Sequence, residues 1–378
     1  MDKGYAIIDS TLREGEQTPG VLFSPAEKRE IIKGLVRVGV DEVELGIASR
    51  FHPCVGALTD YCRREHPGLA LSLWSRCRPE DIEKAAEWRP DILSLSIPVS
   101  DIHLEKRLGK SRTWAFSTMC RAMELAEQRG LTFGVGFEDA SRSDLTFLLE
   151  MAKEAERRGA VRVRLADTLG IATPTDMARL VARLGKILTT CAVAVHTHND
   201  FGMATANALA ALEAGARFVD TVVLGLGERT GGARLEEVVG YLCLVQGNDR
   251  FRAEHLKPLA RYVAGITGRK IEGNRPIVGE DIFTCETGLH LQGLQRDPKT
   301  YEPFDPERVS GKRKLLLGPK SGRRAIIGHM TELDKHLGAN LSEDSIEKIR
   351  GMTKDLRRPL TEGELLRLST PYSERKES

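Results

Sequence analysis

The sequence alternates between short β-branched or apolar runs and longer stretches of helical periodicity, and this alternation constrains the fold more than any other feature. Strand-like runs lie at residues 6–12, 42–47, 69–75, 92–99, 132–139, 161–168, 192–200 and 218–226. Amphipathic stretches lie at residues 25–38, 113–129, 144–158, 175–188, 204–214 and 235–245. Alternating strands and helices favour a parallel sheet. Eight such units in about 250 residues predict an α/β fold, a closed (β/α)8 TIM barrel.

An open, doubly wound parallel sheet is the alternative fold for such a pattern. That fold usually carries a Gly-rich turn directly after its first strand, where the backbone approaches a bound dinucleotide. Here the first strand runs into Asp9-Ser10-Thr11-Leu12-Arg13-Glu14, which contains no glycine. We therefore expect the barrel.

The pattern changes after the barrel, and we expect a C-terminal extension that is partly helical and partly irregular. We place the barrel at residues 4–250 and a linker with an active-site lid at residues 251–322, where a long Gly- and Pro-rich stretch has little periodicity. A small helical subdomain is expected at residues 323–370. The polar segment 371–378 is expected to be a disordered tail.

Composition excludes several classes of function. The chain has 56 Lys and Arg against 54 Asp and Glu, so it has no basic surplus of the kind that nucleic-acid binding requires. No apolar stretch is long enough for a membrane span, and the first residues lack the apolar core of a signal peptide. The seven cysteines are odd in number and show no C-x-x-C spacing. We expect reduced thiols and a cytoplasmic location.

Charged residues collect at the predicted carboxyl ends of the strands, which is where barrel enzymes carry their chemistry. They are Arg13, Glu14, Glu44, Glu138, Asp139, Asp167, His196, His198 and Asp200, accompanied by Thr168 and Asn199. Charged groups that converge on one rim must pair with each other or bind a cation, because isolated buried charges are costly.

The most informative short motif is His196-Thr197-His198 at the end of the seventh strand. Side chains alternate along a strand, so both imidazoles point the same way. Together with the Glu14 carboxylate they would suit a divalent ion with open positions for a substrate. Two hydrogen-bonded structural histidines are the alternative. Arg13 adds a fixed cation that suits polarising a carbonyl or stabilising an enolate.

Several motifs taken together resemble the DRE-TIM metallolyase superfamily. They are Asp9–Gln17, His196–Asp200 and Gly227–Arg229. The downstream segments 286–290 and 297–306 resemble the Claisen-condensing branch, which contains the homocitrate, isopropylmalate and citramalate synthases. The segment 135–144 looks like the homocitrate synthases associated with nitrogenase and nitrogen fixation.

The resemblance implies roles for individual residues. Glu14, His196 and His198 would bind a divalent metal such as Zn, Mn, Mg, Co or Fe. Arg13, Glu138, His290 and Tyr301 would be catalytic, the last three as the acid-base group. Arg13, Thr168, Glu44 and Arg76 would bind the substrate. Acetyl-CoA would be the co-substrate, and the protein would form a homodimer in which His290 and Tyr301 act on the partner's site.

The expected reaction joins acetyl-CoA to 2-oxoglutarate and releases homocitrate and CoA. Glu14 favours this assignment, since isopropylmalate synthases usually carry Asp there, and the segment after Gly322 is too short for their regulatory domain. Lysine-pathway homocitrate synthases carry Arg at the position of Gly134, and many relatives carry Asn at Gly232. Arg76, Arg78 or His52 would then take over the contact with the far carboxylate of 2-oxoglutarate.

Three other readings remain open from the sequence. The first is condensation with another 2-oxoacid, giving isopropylmalate, citramalate or, with Re stereochemistry, citrate. The second is an acyl-CoA lyase of the same superfamily, which the segment 286–306 argues against. The third is a non-catalytic metal-binding paralogue, which predicts the loss of Arg13, Glu138 or His290. All three residues are present.

Overall fold

Eight parallel strands close into one barrel, in which each strand pairs with the next and the last pairs with the first. The computed structural model describes residues 4–52, 54–333, 338 and 341–369. The strands are β1 (Ala6–Asp9), β2 (Glu42–Ile47), β3 (Ala70–Arg76), β4 (Ile92–Pro98), β5 (Phe133–Glu138), β6 (Arg162–Asp167), β7 (Ala192–Thr197) and β8 (Phe218–Thr221). The predicted (β/α)8 barrel is confirmed.

Helices cover the outside of the barrel and follow the strands in sequence order. They are α1 (Pro25–Val38), α2 (Cys54–Glu65), α3 (Pro79–Trp88), α4 (Arg112–Gln128), α5 (Leu145–Arg157), α6 (Pro174–Gly185), α7 (Ala204–Glu213), α8 (Leu235–Leu244) and α9 (Leu256–Thr267). A π-helical segment, Ile102–Leu108, stands between β4 and α4. Helices α2 and α3, which follow β2 and β3, were not delimited from the sequence.

Helix α1 shows how local sequence sets an element's ends. The Ser24 side chain accepts a hydrogen bond from the Glu27 backbone N–H, and the Glu27 side chain accepts one from the Ser24 N–H. This capping box, with Pro25 in the first helical position, fixes the start. Gly39 ends the helix in the left-handed region at φ 92°, which glycine adopts without steric cost.

Several predicted strands continue past the residues that pair in the sheet, and the first and the last of them show why. The runs 6–12 and 218–226 end as strands at Asp9 and Thr221. Leu12 is fully buried, but it lies in a turn in which the Glu14 N–H donates to the Ser10 carbonyl. Apolar periodicity indicates burial and not strand pairing. The buried residues of these loops therefore made both predicted strands too long.

The chain forms two compact units, and the first runs through Ile271. Helix α9 lies in this unit, which therefore extends beyond residue 250, the predicted end of the barrel domain. It packs on α1 at Gly34, where an added Cβ would lie 2.6 Å from a Leu259 methyl carbon. A larger residue at Gly34 would therefore have to displace the Leu259 side chain.

The second unit, from Glu272, has its own small core. Its elements are α10 (Gly288–Arg296), α11 (Arg323–Leu333), α12 (Glu343–Leu356), α13 (Glu362–Ser369) and a parallel pair of two-residue strands, β9 (Thr284–Cys285) and β10 (Lys314–Leu315). Leu317, Ile326, Met330, Ile346, Ile349, Leu360 and Leu365 are buried together. The predicted tail 371–378 lies outside the described residues. Among the residues described, no helix is long and apolar enough to cross a membrane.

Candidate active site

Glu14, His196 and His198 come together at the carboxyl-end rim of the barrel. Glu14 lies in the turn after β1, His196 is in β7, and His198 directly follows that strand. The two Nε2 atoms of the histidines are 3.2 Å apart, and the Glu14 Oε2 atom is 3.6 Å from His196 Nε2. All three side chains are buried, and one ligand atom from each lies within 4.8 Å of the others. This is the geometry of a possible metal site.

The protonation state of the site suits a divalent cation. Burial and the neighbouring His196 lower the pKa of His198 to about 4, so its ring is neutral at pH 7. Burial raises the pKa of Glu14, but the Arg13 guanidinium and a hydrogen bond from the Glu228 N–H oppose it, and the net shift is downward. Ionised carboxylate and neutral imidazole are the forms that bind metals. The donor set therefore fits the ion that the sequence predicted.

Asp220 in β8 holds the His196 ring at its Nδ1 atom. This residue was not among the site residues predicted from the sequence. Its Oδ2 atom is 2.8 Å from His196 Nδ1. A carboxylate at Nδ1 fixes the proton there and turns the Nε2 lone pair toward Glu14 and His198, which is how metal-binding histidines are usually oriented. The period-two spacing of β8 places Asp220 inside the barrel, and that was the available signal.

Behind Arg13 lies a buried array of charges. The Arg13 Nε donates to Glu44 Oε2 at 2.6 Å, and both Nη atoms of Arg164 donate to Glu44 Oε1 at 3.0 Å. Arg13 also pairs with Glu14. Burial raises the pKa of Glu44, but the two guanidinium groups outweigh it and lower it to about 2. Arg13 is therefore held rigidly beside the candidate metal ligands.

A cavity of about 390 Å³ opens in front of these groups. Arg13, Glu14, His196 and His198 line it on the β7–β1 side. Arg76, Arg107, Glu138 and Thr168 line it from β3, β4, β5 and β6 or the segments after them. We call this the main cavity.

Glu138 lies across the main cavity from the candidate metal ligands. Its Oε1 accepts a hydrogen bond from Ser96 Oγ at 2.9 Å, and its Oε2 accepts one from Arg107 Nη2 at 2.6 Å. Arg107 belongs to the π-helical segment after β4. The sequence analysis named neither Ser96 nor Arg107, because neither lies in a recognisable motif.

Thr168 is held by its neighbours on the rim. Its Oγ1 accepts a hydrogen bond from the Asp139 backbone N–H at 2.8 Å. The Arg229 side chain donates to the Thr168 carbonyl at 2.6 Å and to both Asp200 oxygens, at 2.8 and 3.0 Å. Arg229 thus ties together the loops that follow β6, β7 and β8.

Two predicted substrate-binding residues are engaged by other protein groups. Glu44 is fully buried beneath Arg13 and is not among the residues that line the main cavity, and its direct contact with the substrate stays a prediction. We assign it the positioning of Arg13. Arg76 does line the cavity, but its Nε and Nη2 donate to Asp81 at 2.6 and 3.0 Å.

His290 and Tyr301 belong to the second compact unit. Their ring centroids are 4.1 Å apart with planes inclined by 31°, and both side chains are exposed. The structure therefore places these two predicted acid-base residues next to each other.

The two glycines that depart from the family pattern have different surroundings. An added Cβ at Gly134 would lie 2.8 Å from the Cγ of Arg162, whose guanidinium is bound by Glu42 at 2.6 and 2.7 Å. Arg162 thus fills the space that a larger residue would need. Gly232 pairs through its backbone with His198, and an added Cβ would meet only ordinary contacts.

Comparison with known proteins decides the family. Residues 5–262 match the HMGL-like family model, and residues 277–358 match the model of the homocitrate synthase post-HMGL domain-like family. The chain belongs to the HMGL-like family. Its barrel matches the first of these models, and part of its downstream unit matches the second.

Curated HMGL-like relatives cover nearly the whole chain. It is 39% identical to 2-isopropylmalate synthase 2 of Caldanaerobacter subterraneus over 97% of its length and 95% of that protein. It is 39% identical to the homocitrate synthase of Frankia alni, covering 86% of the chain and 92% of that protein. It is 38% identical to the (R)-citramalate synthase of Methanocaldococcus jannaschii, covering 95% of the chain and 73% of that protein. These identities are too similar to select one substrate.

Solved structures support the HMGL-like fold. The HMG-CoA lyase of Bacillus subtilis superposes with a TM-score of 0.63 at 20% identity, covering 71% of the chain and 95% of that structure. The hydroxymethylglutaryl-CoA lyase of Pseudomonas aeruginosa gives 0.63 at 19% identity, covering 71% of the chain and 94% of that structure.

Proposed function

We propose that this protein condenses acetyl-CoA with 2-oxoglutarate and hydrolyses the thioester, giving homocitrate and CoA. One observation carries the proposal. Glu14, His196 and His198 stand with Arg13 on one side of a cavity whose other side carries Glu138. A substrate carbonyl held on the first side would face a base on the second, which is the arrangement that a Claisen condensation needs.

Each side chain has a stated task in this reaction. Glu14, His196 and His198 would hold the divalent metal, which when bound acts as a Lewis acid toward a ketone oxygen. Arg13 donates to the oxygen that becomes an alkoxide when the new carbon–carbon bond forms. The Thr168 hydroxyl donates to the 2-oxoacid carboxylate.

The proton leaves the acetyl methyl group on the opposite side. Glu138, acting with His290 and Tyr301, accepts it as the enolate forms, and the enolate carbon attacks the ketone carbon. The alkoxide is then protonated, and water cleaves the thioester to release CoA. We further propose a homodimer in which His290 and Tyr301 serve the partner subunit's site.

The runner-up is the same condensation with a different 2-oxoacid. Relatives named as isopropylmalate and citramalate synthases are as similar to the chain as a homocitrate synthase is. These similarities favour another 2-oxoacid as much as they favour 2-oxoglutarate. A lyase is disfavoured because residues 277–358 match the homocitrate synthase post-HMGL domain-like family model. A non-catalytic paralogue is disfavoured because Arg13, Glu138 and His290 are all retained.

The test is a CoA-release assay with acetyl-CoA and a panel of 2-oxoacids, before and after chelation. We expect 2-oxoglutarate to give the highest kcat/KM, and we expect complete metal removal to abolish turnover until a divalent ion is restored. Turnover that survives verified metal removal would overturn the mechanism. Best activity with 2-oxoisovalerate or pyruvate would overturn the choice of substrate but leave the condensation intact.

The variant His198→Ala separates metal binding from folding. We expect it to lose metal binding and activity while its circular dichroism and unfolding transition stay close to those of the metal-free parent. His66→Ala is a matched control, because His66 lies at the end of α2 far from the rim.

A further inference from the structure

A second cavity, of about 250 Å³, adjoins the main cavity. The two cavities share four lining residues, Arg76, Ser96, Arg107 and Glu138. We call the second one the side cavity. The two cavities therefore meet at Glu138 and Arg107.

The side cavity carries a surplus of positive charge. Arg76, Arg78, Arg107 and Lys110 line it, and Glu138 is its one carboxylate. Asp81 neutralises Arg76, and Glu138 neutralises Arg107. Within the part of the chain that the structure describes, neither Arg78 nor Lys110 has a carboxylate partner, and the Lys110 ammonium lies 5.9 Å from the Trp114 ring centroid. Two cations thus remain available to an anionic ligand.

The remaining wall of the side cavity is apolar. Ile97, Pro98, Leu108 and Trp114 contribute to it. A cavity lined by both apolar side chains and cations suits a ligand with methylene groups and an anionic group. The far half of a 2-oxo-dicarboxylic acid has this chemistry, since its ketone end would remain beside Arg13 and the candidate metal ligands.

The phosphates of acetyl-CoA fit the side cavity less well. The acetyl group must reach Glu138 for its proton to be removed, and Glu138 itself lines this cavity. The long pantetheine arm separates the thioester from the first phosphate, so those charges must lie farther away. A short dicarboxylate has the right separation between its reacting carbon and its second charge.

The two arginines of β6 beside the strand that carries Gly134 are already bound by carboxylates, and Arg164, which lines the main cavity, is bound by Glu44 and Asp220. Arg162, the cation next to Gly134, is almost fully buried and bound by both oxygens of Glu42. It does not line either cavity. Arg107, in contrast, is about half exposed and makes one hydrogen bond, to Glu138. It has further N–H donors for a second carboxylate.

We propose that the side cavity receives the far carboxylate of the 2-oxoacid and that Arg107 is the residue that selects a dicarboxylic over a monocarboxylic substrate. Arg78 and Lys110 supply the positive charge that lets Arg107 face both this carboxylate and Glu138. The inference rests on the proposed condensation and adds to it the residue that selects the substrate.

The test compares 2-oxoglutarate with 2-oxopentanoate, which has the same five-carbon chain without the far carboxylate. Calorimetry measures the affinity of each acid for the metal-loaded full-length protein, without acetyl-CoA. In Arg107→Gln we expect the preference for 2-oxoglutarate over 2-oxopentanoate to fall by about 10-fold or more, as for the loss of a hydrogen bond to a charged group. Arg107→Lys should retain part of it, because the charge stays but the planar fork is lost.

Arg112→Gln is the matched control, since Arg112 follows in the same region but pairs with Asp101 and lines neither cavity. Its substrate preference should equal that of the parent. Lys110→Gln should lower the preference a few-fold, as expected for a more exposed charge.

Two outcomes would overturn the inference. An unchanged preference in Arg107→Gln would remove Arg107 from substrate selection. An increased KM for acetyl-CoA together with an unchanged preference would assign the side cavity to the coenzyme. Failure of the proposed function looks different, because the unmodified protein would then prefer a monocarboxylic 2-oxoacid in the CoA-release assay.

Discussion

Asp220 and His196 form a pair that only the folded barrel creates, since they lie on neighbouring strands and 24 positions apart in the chain. Asp220→Asn should weaken metal binding about 10- to 100-fold, because the amide holds the His196 ring less firmly and polarises it less. Titration of the metal-free protein with a divalent ion checks this. Asp101→Asn, at an exposed ion pair, is the control. Equal affinity in Asp220→Asn and the parent would contradict the positioning role.

Asp9 is a buried carboxyl that makes stability depend on pH. Burial raises its pKa to about 7, opposed by hydrogen bonds from Thr11 and assisted by the nearby carboxylate of Glu236. From about pH 4 to pH 7 the unfolded chain has lost this proton and the folded protein has kept it, so the contribution of Asp9 to stability falls as pH rises.

Asp9→Asn should remove this pH dependence. Relative to the parent, the free energy of unfolding of the variant should therefore increase between pH 5 and pH 8. Urea unfolding at each pH measures the difference, and subtracting the parent cancels the other titrating groups. A difference that stays constant with pH would show that Asp9 has an ordinary pKa in the folded protein.

At the scale of the strands, β2 and β6 share two ion pairs at different depths in the barrel. Glu42 binds Arg162 away from both cavities, and Glu44 binds Arg164 and the cavity-lining Arg13. Removing one partner of a buried pair leaves an uncompensated charge and costs about 3–5 kcal/mol. Both Glu42→Gln and Glu44→Gln should lower the free energy of unfolding by such an amount.

Only the Glu44 variant should also impair the chemistry, because only that residue positions Arg13. We expect Glu44→Gln to raise the KM for the 2-oxoacid and lower kcat, while Glu42→Gln keeps both near the parent values below its unfolding temperature. Glu42→Gln serves as the matched control for stability loss. Equal kinetic damage in both variants would show that the two ion pairs act as one unit.

The strands and helices themselves were largely predictable, and the reasons are local. Helix α1 matches its predicted bounds because Ser24, Pro25 and Gly39 mark both ends in the sequence. The strand ends after β1 and β8 were less predictable, because residues such as Leu12 are buried without pairing in the sheet. Periodicity reports burial and does not distinguish a strand from a packed turn.

At the scale of the whole molecule, the proposed dimer predicts complementation between two inactive variants. If His290 and Tyr301 serve the partner's site, a mixture of Glu14→Gln and His290→Ala subunits forms some heterodimers with one intact site. Co-refolding or subunit exchange in equal amounts should restore roughly a quarter of the parent activity for a freely exchanging dimer.

The controls are each variant alone and a mixture of Glu14→Gln with His198→Ala subunits. Glu14 and His198 belong to the same subunit's site, so that mixture forms no intact site. CoA release measures the recovery, and sedimentation checks the oligomeric state. No recovery from a mixture shown to contain heterodimers would mean that His290 serves its own subunit.

The sequence by itself determined the barrel, through its alternation of strand and helix patterns, and most of the rim, through His196, His198, Glu14 and Glu138. These signals are local, because consecutive residues determine both the hydrophobic periodicity of a strand and the position where it ends. Only the tertiary structure could add Asp220, Arg107 and the burial of Glu44. Such contacts join residues far apart in the chain, and they exist only once closure of the sheet brings distant strands face to face.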